Sequence, residues 1–250
     1  MSRESNSAKS LRALQVLRAL DEAMPEAHIE LDYTTPFELL TAVLLAAQCT
    51  DKRVNLVTPA LFARFPDARA MARAPTATLQ KLIKSCGFFR AKTRALKALS
   101  QALLQRHEGE VPLLRASLAE LPGVGNKTAG VVSIHIGGEP AFPVDTHVRR
   151  LSRRLGFTRS LDPDTIEEDL QRLLPPETWA KGHQLLVWHG RRTCFARKPA
   201  CERCVVAAVC PKVGVPKTKA ARPRGAAPAP GKRHARRDDT TPSQPRAEES

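Results

Sequence analysis

A lysine just past a glycine-rich turn, and an aspartate eighteen residues further on, are by type and spacing the side chains best suited to chemistry in this chain. The turn is Pro122-Gly123-Val124-Gly125, the lysine is Lys127, and the aspartate is Asp145, all within LAELPGVGNKTAGVVSIHIGGEPAFPVDTH. A glycine-rich turn opening a helix aims free backbone N–H groups at whatever approaches, which suits a phosphate oxygen. An amine and a carboxylate beside a phosphate site point to chemistry on a nucleic acid. Lysine is a nucleophile only when neutral, and its ordinary pKa is about 10.4. The positive end of a helix dipole, and partial burial, would both favour the neutral amine at Lys127. Simpler roles stay open: Lys127 as a phosphate-binding cation and Asp145 as an N-cap before Thr146.

A second constellation follows. Cys194, Cys201, Cys204 and Cys210 form C-x6-C-x2-C-x5-C within seventeen residues. Short loops cost little to order, and clustered thiolates need a cation to offset their repulsion. A structural zinc site more often pairs two short C-x2-4-C knuckles, and only one such pair exists here. The wider first and last spacings favour one [4Fe–4S] cluster over zinc. The loop pinned between Cys194 and Cys201 carries Arg197 and Lys198, which would face outward as phosphate contacts. Cys49 and Cys86 stand apart and read as small core residues.

Composition agrees with a nucleic-acid partner. The 250 residues carry 40 Lys plus Arg against 25 Asp plus Glu, a net +15, and a globular chain that basic usually meets a polyanion. Apolar residues make up 42% but aromatics only 4%, so the core must be built mainly from Leu, Val and Ala. MSRESNSAKS lacks the apolar centre of a signal peptide, and no segment reaches the ~20 apolar residues of a membrane span. The six cysteines then favour metal ligation over disulfides. These features predict a soluble intracellular protein.

The elements that must position these groups are helical. Leu11, Leu14, Leu17 and Leu20 suggest an apolar stripe on a helix over 8–23. Thr35-Pro36-Phe37-Glu38 predicts a capped helix start, and FELLTAVLLAAQ after Pro36 is apolar almost all round, as a central helix would be. Periodic segments continue at 52–64, 67–73, 76–84 and 89–106, with Gly87 and Gly109 as stops. Thr146 to Leu155 ends at Gly156, Asp162-Pro163 caps a helix to Leu174, and Glu177 to His189 makes one more. No stretch alternates as a strand would, so the fold class is all-α. His147, His183 and His189 read as packed residues rather than catalysts, and Trp179 and Trp188 as core. From Pro211 onward seven prolines and ten Lys or Arg accompany almost nothing large and apolar. Such a segment cannot offset its ordering entropy; it is either a basic tail adding salt-sensitive DNA affinity or a solvated extension without a role.

LPGVGNKTA, then VDTHVRRLSRRLG, then the four-cysteine loop together resemble the endonuclease III family of the helix-hairpin-helix superfamily, over roughly residues 8–212. The resemblance implies a bifunctional DNA glycosylase and AP lyase that removes oxidised pyrimidines and nicks the strand by β-elimination. It implies two helical lobes: a six-helix barrel from 29–139, and a cluster lobe joining 1–28 to 140–212; the basic tail at 213–250, read as disordered from its composition, has no counterpart in the compact members. Duplex DNA carrying damaged pyrimidines or abasic sites would lie in the cleft between the lobes, bound by a monomer in the cytoplasm at the nucleoid. Carried over residue by residue, Lys127 takes the Schiff-base position, Asp145 that of the essential aspartate, and the four cysteines those of the cluster ligands. Gln48 falls on the glutamine that fills the gap left by the extruded nucleotide, and the turn residues Gly123, Val124 and Gly125 meet a phosphate. Two positions depart from the pattern: Phe88 stands where the family has an intercalating leucine, and Gly130 where asparagine is common. The resemblance favours this activity over a monofunctional adenine glycosylase, which lacks the hairpin lysine, and over a non-enzymatic DNA-binding module.

Overall fold

The computed structural model describes residues 4–216, and among them every regular element is a helix. The first, α1 (Asn6–Ala23), is capped by Ser5, whose Oγ accepts the Ala8 N–H at 3.2 Å. Its buried face is not the leucine stripe expected. Ala13, Val16, Leu17 and Leu20 are buried, whereas Leu11 is 70% exposed and Leu14 also faces solvent. Steps of three fall about 60° short of a full turn, so four residues at that spacing drift round the helix. The core keeps the members that fit a 3.6-residue period.

Helix α2 (Pro36–Ala46) is the central rod, buried at every position from Leu39 to Leu45. Thr35 caps it by accepting the Glu38 N–H at 3.2 Å. Glu38 reaches one residue further back than a capping box requires, accepting the N–H and O–H of Thr34 at 2.6 and 2.7 Å. Around α2 pack α3 (Asp51–Arg64), α4 (Ala68–Arg73), α5 (Thr76–Leu82), α6 (Phe89–His107), α7 (Arg115–Ala119) and α8 (Asn126–Ser133). Gly87 is not a helix stop: α5 ends at Leu82, and the left-handed residue here is Phe88, the N-cap of α6. Past α6, Glu108 turns left-handed before Gly109, so the stop uses both residues.

A second core joins α1 to α9 (Thr146–Arg154), α10 (Pro163–Leu173) and α11 (Trp179–Arg192). Phe142, fully buried, leads the chain into it from the first core. Gly156, at φ +70°, ends α9 as expected. Asp162 accepts the Thr165 N–H at 2.9 Å, and Pro163 opens α10. Trp188 belongs to this core, whereas Trp179 is half-buried and donates to the Leu174 carbonyl at 2.8 Å. Of the expected disordered tail at 213–250, Val213 is instead bonded to the Arg154 carbonyl of α9 at 3.0 Å, and residues 217–250 lie outside the described residues.

Candidate active site

α7, the turn Pro122–Gly125 and α8 make a helix–turn–helix hairpin beside α2. Gly123 adopts φ +81°, a conformation that glycine enters without steric cost. Val124 is not a free turn residue. Its side chain is 6% exposed and packs in the first core, and its N–H is bonded to the Leu121 carbonyl at 3.0 Å. α8 begins beyond Gly125 with no side chain capping its first turn, so the positive end of this helix faces outward.

Lys127, in that first turn, and Asp145, the N-cap of α9, line one cleft of ≈ 560 Å³. Gln48, His183, Gln184 and Arg191 line it too. The partial burial expected for Lys127 is not found: its side chain is exposed at the mouth of the cleft. Asp145 is half-buried, and its Oδ1 accepts the Val148 N–H at 2.7 Å. The N-cap reading is therefore correct, and among the described residues no protein group donates to the second carboxylate oxygen. One oxygen serves the helix while the other is available to chemistry.

His183 and His147, which the sequence suggests are packed residues, line the cleft. His183 is buried and its Nδ1 meets the Pro143 carbonyl at 2.8 Å, two residues before Asp145. Burial pulls its pKa down to about 4, so the ring is neutral at ordinary pH. His147 at the same wall is also held below the usual histidine range by burial. Arg191 pairs with Glu30 and, at 2.7 Å, with Asp51. Arg192 lies over the Trp188 ring, 3.3 Å from its centroid. The Arg191 pairs tie α11, in the second core, to Glu30 before α2 and to the first residue of α3 in the first.

Gln48 and Phe88 are both exposed and both left-handed, at φ +54° and +57°. Only Gln48 lines the cleft; Phe88, 68% exposed, projects from the turn next to it. Cys86 is buried, and Cys49 is near it. Burial, with Cys49 nearby, pushes the Cys86 thiol up to about 11. They are core residues as expected, but they are neighbours rather than isolated.

The four other cysteines line a common cavity, half-buried, with His189 3.4 Å from the Cys204 sulfur. Among the described residues no three side chains converge as a single metal ion requires. A ring of thiols around a shared space suits a polynuclear cluster with its own sulfide bridges better than one zinc ion. α9 holds this loop in place. Arg154 donates to the Cys194 sulfur at 3.3 Å and to the carbonyls of Phe195 and Ala196 at 2.7 and 2.9 Å, and Arg150 donates to the Cys194 carbonyl at 3.1 Å. Arg197 and Lys198 are exposed at the tip of the loop.

Residues 41–176 match the HhH-GPD superfamily of base excision DNA repair proteins, and residues 194–210 match the iron-sulfur binding domain of endonuclease III. Endonuclease III of Synechocystis sp. is 46% identical over 205 residues, covering 82% of this chain and 94% of the relative. The chain belongs to the endonuclease III family. Escherichia coli endonuclease III is 39% identical over 80% of this chain and 94% of its own length. A trapped endonuclease III–DNA covalent intermediate superposes with a TM-score of 0.77 at 39% identity, covering 81% of this chain and 96% of that one. A thermostable thymine-DNA glycosylase, at 22% identity and a TM-score of 0.71, shares the fold. As a member of the family the chain is a base excision repair enzyme, a DNA glycosylase and AP lyase, with one [4Fe–4S] cluster on Cys194, Cys201, Cys204 and Cys210. Cys194, Cys201, Cys204 and Cys210 would hold the cluster, which would offset part of their thiolate charge and pin both ends of the Phe195–Ala200 loop. Among the described residues no helix is long and apolar enough to cross a membrane.

Proposed function

We propose that the chain excises oxidised pyrimidines from duplex DNA through an imine on Lys127 and then nicks the strand. The observation that carries this reading is the shared cleft, into which an amine from a helix N-terminus and a half-buried carboxylate both open. A glycosylase must reach C1′ of a stacked nucleotide, so it extrudes that nucleotide and fills the gap with side chains. Gln48 enters the duplex from the cleft side, and Phe88 wedges in beside it. Pyrimidines oxidised across the 5,6 double bond, such as thymine glycol, have lost ring aromaticity and stack poorly, which lowers the cost of extrusion.

The N–H groups at Gly125 and the first turn of α8 bind a phosphate and set the register. Arg197 and Lys198 hold the backbone further along. Bound DNA closes over Lys127 and brings the exposed amine against C1′. Its Nζ lone pair forms a bond to C1′ as the C1′–base bond breaks, and the sugar ring opens to give the imine. The free oxygen of Asp145 stabilises the positive charge that develops on the sugar and assists the proton transfers. The imine acidifies the C2′ protons; loss of one expels the 3′ phosphate by β-elimination.

The two cores act as separate lobes, divided near residues 28 and 140, with the DNA lying across the cleft between them. The enzyme works as a monomer in the cytoplasm, at the nucleoid. Borohydride trapping tests the chemistry: with a thymine-glycol duplex the native protein is expected to give a covalent adduct that Lys127→Gln abolishes. An undiminished adduct from Lys127→Gln would overturn the assignment.

A further inference from the structure

Lys127 and Asp145 belong to different cores, so something must fix the distance between amine and carboxylate. Arg115, the first residue of α7, forms a two-pronged ion pair with Glu167 of α10, at 2.6 and 2.7 Å. Glu167 is 7% exposed. Each partner also grips backbone next to a reacting residue. Glu167 Oε1 accepts the Phe142 N–H at 3.2 Å, three residues before Asp145. Arg115 Nη2 reaches the Asn126 carbonyl at 3.5 Å, one residue before Lys127. The main chain adds a further tie: the Arg115 N–H is bonded to Glu139 Oε2 at 2.8 Å, and Ser133 Oγ at the far end of α8 donates to the Glu139 carbonyl at 2.9 Å.

Gly130 of α8 makes room for this arrangement. A Cβ there would lie 3.5 Å from both Nε and Cζ of Arg115, and 3.2 Å from Pro143 Cγ, a tighter approach than side chains ordinarily make. The glycine lets Arg115 and the segment leading to Asp145 pass on the same side of α8.

We propose that Arg115 and Glu167, with Gly130 as the groove they need, are positioning residues that set Lys127 against Asp145. The proposal rests on the reading of those two as the reacting pair. A displacement of about 1 Å at a reacting group costs on the order of 100-fold in rate, so small slippage in this bridge would be felt in the chemical step and little in DNA affinity. A pair that only joined the cores would affect stability instead.

Three variants of the cluster-loaded enzyme separate these roles, each assayed for melting temperature, affinity for an abasic-analogue duplex, and single-turnover excision with borohydride trapping. Glu167→Gln should slow the single-turnover rate by about 10- to 100-fold while affinity stays within about threefold. The reversed pair, Arg115→Glu with Glu167→Arg, restores the ion pair but places a carboxylate against the Asn126 carbonyl and a guanidinium against the Phe142 N–H. It should recover melting temperature relative to the single changes without recovering rate. Gly130→Ala crowds Arg115 and Pro143 inside a helix that favours alanine, so the rate should fall several-fold with no loss of melting temperature. If Glu167→Gln does not fold, Gly130→Ala decides the question. Full rate in the reversed pair, or in Gly130→Ala, overturns the proposal. Lys127→Gln, run in parallel, keeps the two readings apart: if it still traps, the reacting pair is wrong, whereas loss of trapping there with full rates in the other variants removes only the positioning role.

Discussion

Gly87 packs against the main chain of Gln48: a Cβ on Gly87 would sit 3.5 Å from the Gln48 carbonyl oxygen. The turns that carry Gln48 and Phe88 are therefore side by side, and each presents an exposed residue held in the left-handed region. Non-glycine residues at positive φ cost about 1 kcal/mol or more, and such strain collects at functional sites.

Relieving that strain should stabilise the protein at the expense of its activity. Phe88→Gly removes a side chain that is 68% exposed and frees a left-handed backbone. The expected result is a gain of about 0.5–1 kcal/mol in denaturant unfolding, with slower lesion excision. A variant less stable than the native protein would show that Phe88 packs usefully in the free state.

Asp145 offers a different separation. Asparagine caps helices about as well as aspartate, so Asp145→Asn should retain stability within about 0.5 kcal/mol, whereas Asp145→Ala should lose about 1 kcal/mol with the bond to the Val148 N–H. Both should slow excision to a similar degree, since the free carboxylate oxygen disappears in each. Thermal melts and single-turnover rates on the two variants test the division of labour between the oxygens.

Much of this was legible in the sequence, because caps and helical periods are local. Thr35, Asp162 and Gly156 set helix ends that the structure has, and the all-helical class followed from patterning alone. Errors arose where one position has several physical solutions. Leucines at three-residue steps look like a stripe, yet the helix turns Leu11 into solvent. Gly87 looks like a helix stop, yet it serves a contact with a turn nearly forty residues away. At the candidate site, the motif carried Lys127 and Asp145 to one cleft, while the exposure of Lys127 depends on surfaces that no local pattern reveals. Arg115 and Glu167 are 52 residues apart, and Arg191 and Glu30 are 161 apart. Nothing in a charged side chain's immediate neighbours announces a partner at that distance.

Acid should weaken the fold through His183. Its pKa is about 4 in the native state against 6.5 in the unfolded chain, so the unfolded state binds the extra proton first as pH falls. The stability that the neutral ring contributes is complete above about pH 6.5, and is lost progressively on the way down to about pH 4, by at most about 3 kcal/mol. The groups facing it are Asp145, which opposes the shift, and Lys127 and His135, which favour it. Melting temperatures across that range should slope downward toward acid in the native protein and less steeply in His183→Gln; equal slopes would dissociate His183 from the effect.

Arg154 should govern how firmly the iron–sulfur cluster is retained. It contacts the Cys194 sulfur and two carbonyls of the adjoining loop. Arg154→Ala is expected to lose the visible absorption of the cluster several-fold faster under a chelator, and Arg154→Lys to fall between, because lysine cannot fork across three acceptors. Unchanged loss would mean that the cysteine loop holds its shape without this helix.

The ion pairs of Arg191 with Glu30 and Asp51, at the cleft, and of Arg115 with Glu167, away from it, both join the first core to the second. Ties between the cores oppose hinge closure, so under the proposed function the double helix would supply the compliance. Bending a duplex costs of order 1–6 kcal/mol, and less where a base no longer stacks. Stiffness itself would then become a criterion of choice: sound DNA would resist the fit and slide past, while a stretch softened by damage would yield and stay.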